Sequence, residues 1–104
     1  MTCSQLLDVA SANDTFRRSG FGVTMTRGIQ ELPDLDGLMS AIRDYKKFNQ
    51  DNDPYGERDF GSIVWYGESV FWKIDYYNRE LSCYEDPTST TCQRVLTVMC
   101  AYEY

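Results

Sequence analysis

The residues best placed for chemistry lie in one stretch, Asp51-Asn-Asp53-Pro-Tyr55-Gly56-Glu57-Arg-Asp59. Asp51, Asp53 and Gly56 fall where an EF-hand loop puts its first two carboxylates and its turn glycine. Tyr55 stands where such a loop has an oxygen ligand, and Ser62 where it has its bidentate glutamate, so the main ligand is missing. Loosely arranged oxygens could still hold Ca²⁺ or Mg²⁺ weakly. Asp and Asn side chains that cap nearby backbone groups account for the same residues. Carboxylate pairs beside tyrosine could also do acid–base work, a signal that any acidic protein offers. No metal, cofactor or catalytic residue is assigned on these grounds.

Composition removes most other enzyme chemistry. There is no histidine, which excludes Ser-His and Cys-His nucleophile systems and histidine metal sites. No Walker loop is present, and Gly20-Phe21-Gly22 is not a dinucleotide fingerprint. The four cysteines, Cys3, Cys83, Cys92 and Cys100, form no CxxC pair. A zinc site would need all four at irregular spacing. A Cys83–Cys92 disulfide is conceivable across a short loop, but free thiols are the expectation in a reducing cytosol.

Charge is the stronger signal. Residues 51 to 86 hold nine acids and three bases; nine minus three leaves −6, the net charge of the whole chain. Nine of the fifteen aromatic residues lie there too. Free nucleic acid would be repelled, and basic protein surfaces are the natural partners. The excess could also serve solubility alone. The expected contact residues are Asp51, Asp53, Tyr55, Glu57, Asp59, Tyr66, Glu68, Tyr84, Glu85 and Asp86.

The elements that must position these residues fit one domain over residues 1–104. Residues 4 to 16 read as a helix capped by Ser4, with Leu6, Val9, Ala10 and Phe16 to one side. Residues 21 to 27 alternate as a half-buried strand with Phe21, Val23 and Met25 together. Pro33-Asp34 opens a helix to about Lys47, burying Leu35, Leu38, Met39, Ile42 and Tyr45. Two β-rich runs flank Gly67-Glu68, a hairpin turn that would set Trp65 opposite Val70 and Ile63 opposite Trp72. The outer hairpin face carries Phe60, Val64, Tyr66, Phe71 and Tyr77, and a helix or a partner should cover it. Residues 78 to 90 read as turns, and a last helix capped by Thr90 or Thr91 runs to the end. The expectation is an α+β domain: a small antiparallel sheet, strand plus hairpin, packed with about three helices in the order α-β-α-β-β-α.

No apolar run is long enough to span a membrane, and the opening residues lack the basic region of a secretory leader. A cytoplasmic protein is expected, as a monomer or homodimer.

Several stretches resemble a known family. Asn13-Asp14, Thr26-Arg27-Gly28, Asp51 to Gly61, Phe71 to Tyr77 and Arg94 to Tyr104 look like the motifs of a small proteobacterial domain-of-unknown-function family, number 3768, often found on mobile elements. The likeness covers nearly the whole chain. Arg58 stands where the family often has histidine, so any function resting on that histidine would be absent here. The resemblance implies no activity. It implies a mobile-element setting, and with the acidic charge it suggests an inhibitor of a host defence complex, a CRISPR effector or restriction enzyme. Two other readings stay open: a carboxylate- or metal-dependent enzyme built on the 51–59 loop, and a domain that dimerises through the outer hairpin face.

Overall fold

The computed structural model describes the backbone of residues 2–20 and 22–104, and the side chains of 9–20 and 22–104. Its elements are α1 (Thr2–Ser19), β1 (Val23–Met25), α2 (Arg27–Gln30), α3 (Leu35–Arg43), β2 (Phe60–Trp65), β3 (Glu68–Tyr77) and β4 (Gln93–Cys100), then a 3-10 turn at Ala101–Glu103. The roles expected of Ser4, Leu6 and Phe21 fall outside the described side chains. Among the described residues no helix is long and apolar enough to cross a membrane.

The α+β expectation holds, with three corrections: the sheet is mixed rather than antiparallel, a short helix follows β1, and the last element changes type. The last segment is a strand, not a helix. Its order in the sheet is β1-β4-β3-β2, with β4 antiparallel to β3 and parallel to β1. A strand buried on both faces reads as a nearly continuous apolar run, and residues 95–100, all buried or half-buried, do. Such a run has no period that separates it from a buried helix. Its β-branched Val95, Thr97 and Val98 favour the strand.

The core lies on one face of this sheet. Leu38, Met39 and Ile42 of α3 and Ile29 of α2 pack on Val70, Trp72, Ile74, Leu96, Val98 and Cys100. These strand residues share a face because each lies an even step from the next. Asp34 starts α3 as expected, its Oδ1 accepting from the Gly37 N–H at 3.0 Å. The helix stops at Arg43, so Lys46 and Lys47 lie beyond it rather than in its last turn.

The hairpin turn is Tyr66-Gly67, one residue earlier than Gly67-Glu68. Both have positive φ, 49° and 82°, the requirement of a two-residue type I′ turn. Trp65 therefore pairs with Glu68, Ile63 with Val70 and Gly61 with Trp72. Moving the turn by one residue slides the register by two, which leaves every side chain on its expected face. Trp65 and Trp72 thus still share the core side. Gly61 is needed there: a Cβ would stand 2.3 Å from Trp72 Nε1.

Among the described residues the outer face is met by the chain end rather than by a helix. The C-terminal Tyr104 folds back so that its ring meets Phe71 and Phe60, with centroids 5.6 and 6.3 Å apart. Val64 and Tyr66, toward the hairpin tip, remain 71% and 66% exposed.

Candidate functional site

Helix α1 carries three polar residues into the interior, Asn13, Asp14 and Arg17, all buried. Asn13 and Arg17 are one helical turn apart and so share a face. Buried groups of this kind need partners, and here each has several.

Arg17 is fully buried. Its Nε donates to the Ile42 carbonyl at 3.0 Å and its NH2 to that of Tyr45 at 3.3 Å. It thereby caps the C-terminal end of α3, where a cation is favoured. Its NH1 donates to Asp14 Oδ1 at 2.9 Å, and its guanidinium lies 5.2 Å from the Trp72 ring centre and 5.5 Å from that of Phe48. The other Asp14 oxygen accepts from Arg58 NH1 at 2.7 Å. Burial opposes ionisation of Asp14, but the hydrogen bonds from Arg58 and Arg17 outweigh it and hold its carboxyl below the usual range.

Asn13 serves the other half of the network. Its Nδ2 donates to the Glu57 carbonyl at 2.8 Å and to the Tyr76 hydroxyl oxygen at 2.9 Å. Its Oδ1 accepts from Arg94 Nε at 2.6 Å. The Tyr76 hydroxyl has one proton to give to two carboxylates, Glu57 Oε1 and Asp59 Oδ2, both at 3.2 Å. Burial, then the neighbouring Asp59 charge, pushes the Glu57 carboxyl up. Burial raises the Tyr76 phenol strongly, and Asp59 and Glu57 add to it. A carboxyl of raised pKa beside a phenol could hold or pass a proton. Here the Glu57 carboxyl meets the Tyr76 hydroxyl and Asp59 while its backbone carbonyl accepts from Asn13, and the arrangement ties loop 51–59 to the sheet.

A second cluster pins the chain end. Glu103 accepts from Thr26 Oγ1 at 2.5 Å, from the Cys100 N–H at 2.8 Å and from the Gly28 N–H at 3.0 Å. Thus the Thr26-Arg27-Gly28 and closing stretches meet in one structural joint.

The expected contact residues divide between two ends of the sheet. Asp51 and Tyr55 are exposed, Tyr55 at 88%. Asp53 is turned inward: its Oδ1 accepts from the Glu57 and Arg58 N–H groups, both at 3.0 Å. Glu57 and Asp59 face Tyr76. Tyr84 joins them, bridging to Tyr77 and setting its ring 6.5 Å from that of Tyr76 while staying 72% exposed. Glu85 accepts from Ser89 Oγ at 2.5 Å and from Thr91 Oγ1. Asp86 accepts from Thr88 Oγ1 at 2.6 Å. Tyr66 and Glu68 lie at the hairpin tip, at the far end of the ten-residue β3 from Tyr77, on the order of 30 Å away. They do not join the others.

Among the described residues no three His, Cys, Asp or Glu side chains stand together as metal ligands. Cys83, Cys92 and Cys100 are free thiols, so no Cys83–Cys92 bridge forms.

The buried residues Asn13, Asp14, Arg17 and Tyr76, with the half-buried Arg94, are not among the expected contacts. Asn13, Asp14, Tyr76 and Arg94 do fall in the stretches that carry the family resemblance. Arg17 had a further signal: a cation one turn from Asn13, on the side of a helix that must face the core.

Residues 25–103 match the model of a family described as "Protein of unknown function (DUF3768)". No curated protein and no solved structure matches the chain.

Proposed function

The chain belongs to the DUF3768 family, described only as of unknown function, and from its own geometry we propose a small non-enzymatic binding protein that docks a basic protein surface. One observation carries this reading. Loop 51–59 and the turns of 78–91 border Tyr76 from two sides and bring seven acids to one end, against Arg58, Arg79 and the Arg94 that lies over the Tyr76 ring; seven minus three leaves −4. Tyr55 and Tyr84 stand exposed among them. Tyrosine supplies contact area with few rotamers to freeze, and the carboxylates steer a basic partner. The buried Asn13, Asp14 and Arg17, by contrast, are engaged within the fold.

The partner class that fits is a nucleic-acid-binding channel, since carboxylates spaced along a surface can stand in for phosphates. A defence nuclease complex, a CRISPR effector or restriction enzyme in the bacterial cytoplasm, is the specific form of the proposal.

The experiment is capture from a bacterial lysate carrying such complexes, with immobilised protein at low and high salt. A triple variant, Asp51→Lys, Tyr55→Ala and Glu80→Lys, serves as control because all three side chains are exposed. Asp53 and Glu57 are left alone because they hold the loop. Basic nucleic-acid-binding proteins should be retained by the wild type, released by salt and not retained by the variant. Equal capture by both would refute the acidic end as the docking surface.

A further inference from the structure

The excess of acid hides an opposite feature. A concavity of about 350 Å³ opens beside the Asp14 carboxylate, lined by Asp14, Arg18, Tyr45, Lys46, Phe48 and Arg58. Its charged lining is three cations and one acid. Both oxygens of that acid are already taken, one by Arg17 and one by Arg58. Counting Arg17, four cations stand around one carboxylate; four minus one leaves +3, in a chain of −6.

Arg18 and Lys46 are exposed and make no ion pair among the described residues. Arg58 spends only NH1 on Asp14, and its side chain is 48% exposed, so the rest of its planar fork is turned to ligand or water. Its position is fixed from three sides: by Asp14, by the Phe48 ring 5.6 Å away, and by Asp53, which holds its N–H at a positive φ of 56°. A preset guanidinium flanked by two flexible cations is the arrangement that grips a phosphate. The concavity is several times larger than a phosphate, and its other wall is aromatic.

We propose that this concavity binds a small phosphorylated ligand, its phosphate held by Arg18, Lys46 and Arg58 and its organic part laid against Tyr45 and Phe48. The site shares Arg58 with the loop of the acidic end but uses none of Asp51, Tyr55 and Glu80, so either reading can fail alone.

The test is titration of the full chain with inorganic phosphate and with a nucleoside monophosphate, followed by amide and side-chain NMR shifts, with sodium chloride at matched ionic strength as reference. Saturable shifts at Arg18, Tyr45, Lys46 and Arg58 are expected, with the monophosphate tighter than phosphate alone. Arg18→Ala and Lys46→Ala should each weaken the monophosphate about tenfold, the loss of one charge-assisted contact. These two exposed substitutions leave the Asp14 pairs intact, so a melting curve should not move. Shifts equal to those of chloride would overturn the proposal, as would binding that both variants retain. Binding of a polyanion such as heparin without the monophosphate would overturn it too, replacing a small-ligand site with a backbone-tracking one.

Discussion

Asn13 on the first helix donates to the Tyr76 hydroxyl oxygen at 2.9 Å, across 63 positions of sequence. Through Asn13, Arg17 and Asp14 the helix is joined to the sheet, to α3 and to loop 51–59 at once. The acidic end is therefore a surface on a fixed frame, and the frame itself can be tested.

Arg17 is the frame's central cation. Arg17→Ala would strip the α3 carbonyls of their donor and leave Asp14 with Arg58 alone. Breaking a buried pair in this way costs about 3–5 kcal/mol. Urea melts should show that loss; a change under about 1 kcal/mol would mean water replaces the guanidinium freely.

Two carboxyls should shape the pH profile in opposite senses. Asp14 is lowered on folding, so its contribution is fully present above the ordinary value of 3.8 and lost as pH falls through its folded value. Asp14→Asn should flatten that acid limb. Glu57 is raised from 4.5, so its contribution is present below that value and lost as pH rises through its folded one. Glu57→Gln should remove the decline between the two. Stability measured from pH 3 to 8 checks both signs.

Gly61 should tolerate no side chain. Alanine there would drive its Cβ into the Trp72 indole, and overpacking of this kind costs about 1–3 kcal/mol. Trp72→Ala, which empties a fully buried site, should cost about 3–5 kcal/mol. The double variant should cost less than the sum, since the alanine methyl would then enter the space left by the ring.

The thiols should react in order of access. Cys83 is exposed and should be alkylated first. Burial raises the Cys100 thiol and shuts it in, so it should react only on unfolding. A thiol-reactive dye followed by mass spectrometry, native and denatured, would show the order. Protection of Cys83 together with Cys92 would reveal a disulfide.

What was legible in the sequence followed from local pattern. The even-step alternation in β3 placed Trp72 and Ile74 on the core face, and it did so despite a misplaced turn. Tyr66 at positive φ is the reason: local pattern puts glycine first in the turn, whereas a tyrosine takes that position. The last strand was illegible because residues 95–100 are buried or half-buried on both faces, so no alternation marks them as a strand. Part of the site was readable too. Asp51, Tyr55 and Tyr84 are exposed as expected, but pairing alone decides that Tyr66 and Glu68 go to the other end. The ties of Asn13 to Tyr76 and of Asp14 to Arg58 bridge distant parts of the chain, and no local spacing announces them.

The proposed docking of the acidic, tyrosine-bearing end in place of nucleic acid on a basic partner can be measured outright. The direct measurement is competition: a fluorescent oligonucleotide bound to the captured partner, with this protein added at low and high salt. The account predicts displacement that weakens as salt screens the charges and disappears in the Asp51→Lys, Tyr55→Ala, Glu80→Lys variant. Oligonucleotide and protein bound together, with the variant binding as well as the wild type, would contradict it.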